Sequence, residues 1–199
     1  MILAGGTSRR MGRDKLQLTV GGRPLLQRVY RVLESGCGEV LVVGFGDAGP
    51  GELRGLEARW VSDLRPGRAG PLAGIEAGLA AAGNDRVLVV AGDMPFLSKE
   101  LAGYMLGCLR RSGVRVVVPR YGGRLHPLCA AYHREVLPDL SFALNLGVRA
   151  AHTFLENLDG VRYVEEELPN FGDPDLFLMN VNSPEDLAHA RRAARSEES

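Results

Sequence analysis

Short apolar runs alternate with helical patterns along most of this chain, and that alternation limits the folds open to it more than any other feature. Runs at 1–4, 39–43, 59–62, 86–91 and 115–119 read as strands, with helical patterns at 24–35, 74–82 and 98–111 between them. Strand, helix and strand in succession build parallel neighbours in a sheet covered on both faces, so the expected class is α/β with a mostly parallel sheet. The run 86–91 is the most apolar and belongs at the sheet centre. Pro24 starts the first helix and Gly36 lies past its end, while Ser98 is placed to N-cap the third. Beyond 119 the pattern loosens. Residues 128–132 read as a strand, 135–158 as helical, and 161–165 and 177–181 as extended. The last helix starts at Ser183, with Pro184 in its first turn and Asp186 completing an acidic capping box.

Composition narrows the class further. A chain of 199 residues with 45% hydrophobic and 24% charged side chains is expected to fold as a single compact domain over 1–199, which excludes disorder, collagen-like structure and coiled coil. Its 24 basic residues balance 24 acidic ones to a net charge of +0, with no basic stripe for a nucleic-acid backbone. Cys37, Cys108 and Cys129 share no metal-ligand spacing and are too few to staple a domain, which points to a reducing compartment. No apolar run approaches the roughly 20 residues of a membrane helix and no signal peptide precedes the first strand, so no membrane partner is expected and the chain reads as cytoplasmic.

The 26 glycines cluster in a few loops, where a missing side chain lets the backbone come close to a ligand. The loop from Leu3 to Lys15 leaves a strand at once and holds Gly5, Gly6 and Gly12 with Arg9, Arg10, Arg13 and Lys15. Backbone N–H groups, Arg forks and a Lys ammonium together suit phosphate. Arg13 after Gly12 excludes a Walker A loop, and the glycine spacing excludes a dinucleotide fingerprint. A solvated basic turn is the plainer alternative. Only two of the 24 basic residues are lysines, Lys15 and Lys99, so a lysine beside this loop is an unusual choice.

Asp93 follows the run 86–91, where open α/β sheets bind ligands, and one carboxylate there suits Mg²⁺; capping the turn at Pro95 explains it equally well. Asp63 follows the strand at 59–62 and could merely cap its loop. Asn180 and Asn182 alternate on the end of an extended segment and so share a side; they offer amides to a ligand or to turn backbone before Ser183. His126, His133, His152 and His189 show no ligand spacing, so a zinc site is not expected. Cys129, within an apolar strand, reads as core.

Leu-Ala-Gly-Gly at 3–6, Arg-Met-Gly at 10–12 and Asp-Lys at 14–15 resemble the opening of the nucleotidyltransferases related to molybdenum cofactor guanylyltransferase. Blocks at 70–75, 92–96, 126–128 and 180–187 are similar to that family's blocks, in the family's order, so the resemblance covers nearly the whole chain. It implies a three-layer, Rossmann-like sheet of the nucleotidyltransferase, glycosyltransferase-A-like type, with a nucleotide-binding N-terminal half and the acceptor side at about 115–199. It also implies GMP transfer from Mg-GTP to the terminal phosphate of molybdopterin cofactor, releasing pyrophosphate.

On that resemblance Arg10, Lys15 and Asp93 are the catalytic residues, and Asp93 is also the Mg²⁺ ligand. Leu3, Ala4, Gly5, Gly6, Lys15, Asp63, Gly70, Pro71, Gly74 and Asp93 bind the nucleotide, and Arg124, His126, Asn180 and Asn182 the acceptor. It leaves room for molybdoenzymes or other cofactor-pathway proteins as partners. Two departures from the family pattern stand out. Only three residues precede the first loop, and Gly44-Phe45-Gly46 replaces an asparagine that many relatives carry after the second strand. The alternatives are a transferase using CTP or another phosphorylated acceptor, and a nucleotide-binding relative without turnover.

Overall fold

The computed structural model describes residues 1–5, 15–44, 56–65 and 70–197. An eight-stranded sheet runs through them in the order β10-β7-β9-β6-β1-β4-β5, with β8 paired to the end of β7. Its first half contains β1 (Ile2–Leu3), β4 (Leu41–Val43), β5 (Arg59–Val61) and β6 (Arg86–Ala91), all mutually parallel. Its second half contains β7 (Val116–Tyr121), β8 (Arg124–Leu125), β9 (Cys129–His133) and β10 (Val161–Val164). β9 is antiparallel to both β6 and β7, whereas β10 is parallel to β7. The α/β class with a mostly parallel sheet therefore holds, with one reversed strand inside it.

Side chains alternate along the strands and divide the core in two. Ile2, Val42, Leu88, Val90 and Val117 face α1 (Leu25–Glu34) and α3 (Lys99–Cys108). Val43, Val89, Val116, Val118 and Tyr132 face α2 (Pro71–Ala81), α4 (Leu137–Asn145) and α5 (Ala151–Glu156). Each such Val, Leu or Ile contributes about 1.5–3 kcal/mol by leaving water. α1 buries Leu25, Leu26, Val29, Tyr30 and Leu33, a spacing that makes one apolar stripe. A third cluster joins Val20, Leu25, Phe96 and Val181 to α7 (Pro184–Glu197) through Leu187 and Ala190.

Several local expectations need correction. Pro24 precedes α1 and belongs to a small hairpin, β2 (Thr19–Val20) and β3 (Arg23–Pro24). Gly21 and Gly22 turn it with φ of 54° and 69°, the conformation that two-residue hairpin turns require. α2 starts at Pro71, not at 74, because Pro at the first helical position needs no N–H partner. α3 ends at Cys108 rather than 111. The helical stretches expected over 135–158 are α4 and α5, parted around Gly147 at φ 89°. The extended reading of 177–181 is wrong: α6 (Pro174–Phe177) is helical, Asp173 caps it, and no strand follows before Ser183. Among the described residues no helix is long and apolar enough to cross a membrane.

Candidate active site

All strands of the main path except β9 point their carboxyl ends to one edge of the sheet, and the site is assembled there. β1 is held between β4 and β6, and at its exit Ala4 N–H donates to Val43 O at 2.9 Å. Leu3 O accepts from Gly92 N–H at 2.9 Å, which ties the first loop to the turn after β6. Gly5 and Gly44 pass so closely that a Cβ on Gly44, at φ 111°, would lie 2.5 Å from the Gly5 Cα. A side chain after the second strand is therefore excluded at Gly44 by its own neighbour. Leu3 also packs under Gly74, whose Cβ would meet it at 3.3 Å.

Asp93 follows β6 in a turn held to α1 by Arg28, whose Nε donates to Pro95 O at 3.0 Å. Lys15 opens a short 3-10 turn anchored by buried Leu16. Its ammonium donates to Asp93 Oδ2 and, at 2.7 Å, to Asn182 Oδ1. The two ion-pair side chains are only 13% and 15% exposed, so this pair is shielded far more than a surface ion pair. Val181 N–H donates to Asp93 O at 2.9 Å and holds the Asn182 segment against the same turn.

The capping box expected at α7 is present. Ser183 Oγ accepts from Asp186 N–H, and Asp186 Oδ2 accepts from the N–H groups of Asn182 and Ser183 at 2.8 and 2.9 Å. Those backbone donors hold the Asp186 carboxyl below its usual range. Asn182 thus owes its placement to a cap and a backbone tether, not to a strand.

Asp93 Oδ1 is buried and has no hydrogen-bond partner among the described residues. A buried carboxylate oxygen without a partner is costly unless something completes it. Mg²⁺ fits this donor set, because it takes one or two carboxylates and fills its shell with phosphate oxygens and water. Among the described residues no group of three His, Cys, Asp or Glu side chains is placed to hold a metal by itself.

Beside this cluster lies a cavity of about 420 Å³, lined mainly by apolar groups and by Gly70, Pro71, His126, Arg149, His152 and Asn180. The reversed β9 is what brings His126 here. Leu128 O, at its start, accepts from Ala91 N–H at 2.8 Å, at the carboxyl end of β6. Burial lowers the His126 pKa, so the ring is neutral at pH 7, and its buried Nε2 has no partner among the described residues.

The structure thus brings Lys15, Asp93 and Asn182 together and places Gly70, Pro71, His126 and Asn180 around one cavity. Asp63 is exposed two residues beyond β5, on the same edge. Arg124 is exposed opposite Tyr121 in the β7–β8 hairpin and does not line the cavity. Gly6 and Arg10 lie outside the described residues, as do Phe45 and Gly46. Arg149 and His152 were missed: they fall among the helical stretches expected over 135–158, where only Gly147 signals a turn. Cys129 is fully buried, and burial pushes its thiol up to about 12, as a core cysteine requires.

Residues 1–161 match the family model described as a MobA-like NTP transferase domain. A probable molybdenum cofactor guanylyltransferase of Pelotomaculum thermopropionicum is 41% identical over 197 residues, 98% of this chain and 93% of its own length. A molybdenum cofactor guanylyltransferase of Cereibacter sphaeroides is 37% identical over 201 residues, 99% of this chain and 97% of its own. The crystal structure of molybdopterin-guanine dinucleotide biosynthesis protein A from Archaeoglobus fulgidus superposes with a TM-score of 0.82 at 29% identity, over 98% of this chain and 97% of that one. A cytidylyltransferase acting on 2-C-methyl-D-erythritol 4-phosphate, from Thermus thermophilus, reaches a TM-score of 0.72 at 24% identity over 98% and 97%, a likeness of fold alone.

Proposed function

The chain belongs to the MobA-like NTP transferase family, and from that premise we propose that the edge bearing Lys15 and Asp93 transfers GMP from GTP to the terminal phosphate of molybdopterin cofactor. The products are the guanine dinucleotide cofactor and pyrophosphate. Guanine as the base and this acceptor follow from the full-length likeness to proteins named molybdenum cofactor guanylyltransferase. The observation that carries the chemistry is the shielded Lys15–Asp93 pair, joined by Asn182, beside a largely apolar cavity.

The acceptor is a phosphate monoester with a second pKa near 6, already largely anionic at neutral pH, so no general base is needed. An acceptor oxygen bonds to the α-phosphorus as the bond to pyrophosphate breaks. Two anions must meet for this, and the protein's task is alignment and charge cancellation. Leu3, Ala4, Gly5 and Gly6 bring backbone close to the phosphates, and Arg10 and Lys15 offset the charge that develops there. Asp93 holds Mg²⁺, which when bound neutralises and orients phosphate oxygens. Asp63, Gly70, Pro71 and Gly74 hold the nucleoside side, while Arg124, His126, Asn180 and Asn182 hold the acceptor. The N-terminal half then serves the nucleotide and about 115–199 the acceptor. The cytoplasm, where GTP is plentiful, is the matching compartment.

Pyrophosphate release from Mg-GTP and cofactor tests this reading. Asp93→Asn is expected to lower turnover by about 10²-fold or more, while the thermal midpoint changes little. Turnover within a few fold of wild type would remove Asp93 from the metal site.

A further inference from the structure

A buried carboxylate lies apart from the Lys15–Asp93 cluster. Glu76, in the middle of α2, is only 5% exposed and is one of two buried polar residues among those described. Arg65 grips it with two bonds, Nε to Oε2 at 2.7 Å and Nη2 to Oε1 at 2.8 Å, and Ser141 Oγ of α4 donates to Oε1 at 2.7 Å. The same guanidinium reaches across to Asn145, at the end of α4, where Nη1 donates to Oδ1 at 2.8 Å. A planar fork that uses both ends this way fixes orientation as well as distance.

The placement of this network gives it a role beyond packing. Arg65 lies two residues after Asp63, at the start of the segment that joins β5 to α2. Gly70 ends that segment and rests on the turn after α4, where a Cβ on Gly70 would stand 2.9 Å from Arg149 O. Both ends of the segment are therefore held by the stretch 141–149, which also supplies Arg149 to the wall of the cavity. We propose that Glu76 is a positioning residue: through Arg65, Ser141 and Asn145 it sets Asp63 and the Gly70 end of α2 in register with the cavity wall at Arg149–His152, just beyond α4. The proposal rests on the reading of Asp63 and Gly70 as nucleotide contacts. Loss of the network leaves the reacting groups in place but loosens the nucleotide's seat, so the effect falls on KM for GTP rather than on kcat at saturation.

The test uses variants on α4 that reach the nucleotide only through Arg65. Ser141→Ala and Asn145→Ala are expected to raise KM for GTP by about fivefold or more with kcat nearly unchanged. Glu76→Gln, which keeps an oxygen for Arg65, is expected to fall between wild type and Glu76→Ala. Asp63→Ala serves as the reference. Unchanged KM in both α4 variants, with KM raised in Asp63→Ala, overturns the linkage. Unchanged KM in all three removes the nucleotide assignment of the segment and the linkage with it. The α4 variants keep the test decisive even where Glu76→Ala fails to fold, since Asn145 is exposed.

Discussion

His126 shows how one side chain takes its chemistry from its surroundings. Burial disfavours the imidazolium, and the nearby Arg124 charge adds to that, while a hydrogen bond with the Tyr121 backbone opposes it. The folded pKa thus lies below the unfolded value of about 6.5, and as pH falls through that value the unfolded chain takes up the proton first. Stability is complete above that pH and declines below it. His126→Gln is expected to flatten the fall in thermal midpoint below about pH 6.5, measured as a series of melts. Parallel curves for the two proteins would show that His126 is not desolvated. The same residue scale shows what could be read in advance. Lys15 and Asp93 stood out by rarity and by position after a strand, but Glu76 did not, because an acid within an apolar helix reads as a solvated face until its partner Arg65 is located.

Elements explain why the loops meet where they do. β1 and β4 are parallel neighbours, so the chain leaves both at the same level and Gly5 passes directly over Gly44. Gly44→Ala would add a Cβ at 2.5 Å from Gly5 backbone and strain a positive φ. The expected cost is about 1–3 kcal/mol of stability, with weakened GTP binding because the first loop is displaced. Chemical denaturation and nucleotide titration would check both, and a variant with wild-type values would mean that the two backbones separate freely. Capping is the most legible feature at this scale. Ser183, Pro184 and Asp186 declare the start of α7, and Ser98 that of α3, because caps are local and need no tertiary partner. The segment before α7 shows the limit of periodicity: Phe177, Met179 and Val181 alternate as in a strand, yet Asp173 and Pro174 start a helix that ends at Phe177, and the residues after it pair with no strand.

The whole molecule is a two-faced sheet, and on the proposed function occupancy of its carboxyl edge registers in global stability. Mg-GTP at about 100 times its Kd adds roughly 2.7 kcal/mol, which for a chain of this size raises the midpoint by about 5–10 °C. CTP, ATP and UTP are expected to give much smaller shifts. A larger shift with CTP would reverse the base assignment. By itself the sequence determined the α/β class, most strand and helix positions and the caps of α3 and α7, because hydrophobic period and local hydrogen bonding are written in neighbouring residues, and it singled out Lys15 and Asp93 as candidates. Tertiary structure alone decided that β9 runs backwards and so delivers His126 to the edge, that Asn182 reaches Lys15 from outside a strand, and that Arg149 joins the cavity. Those are meetings between segments from about 40 to 170 residues apart, set by sheet pairing and core packing, and no local pattern encodes them.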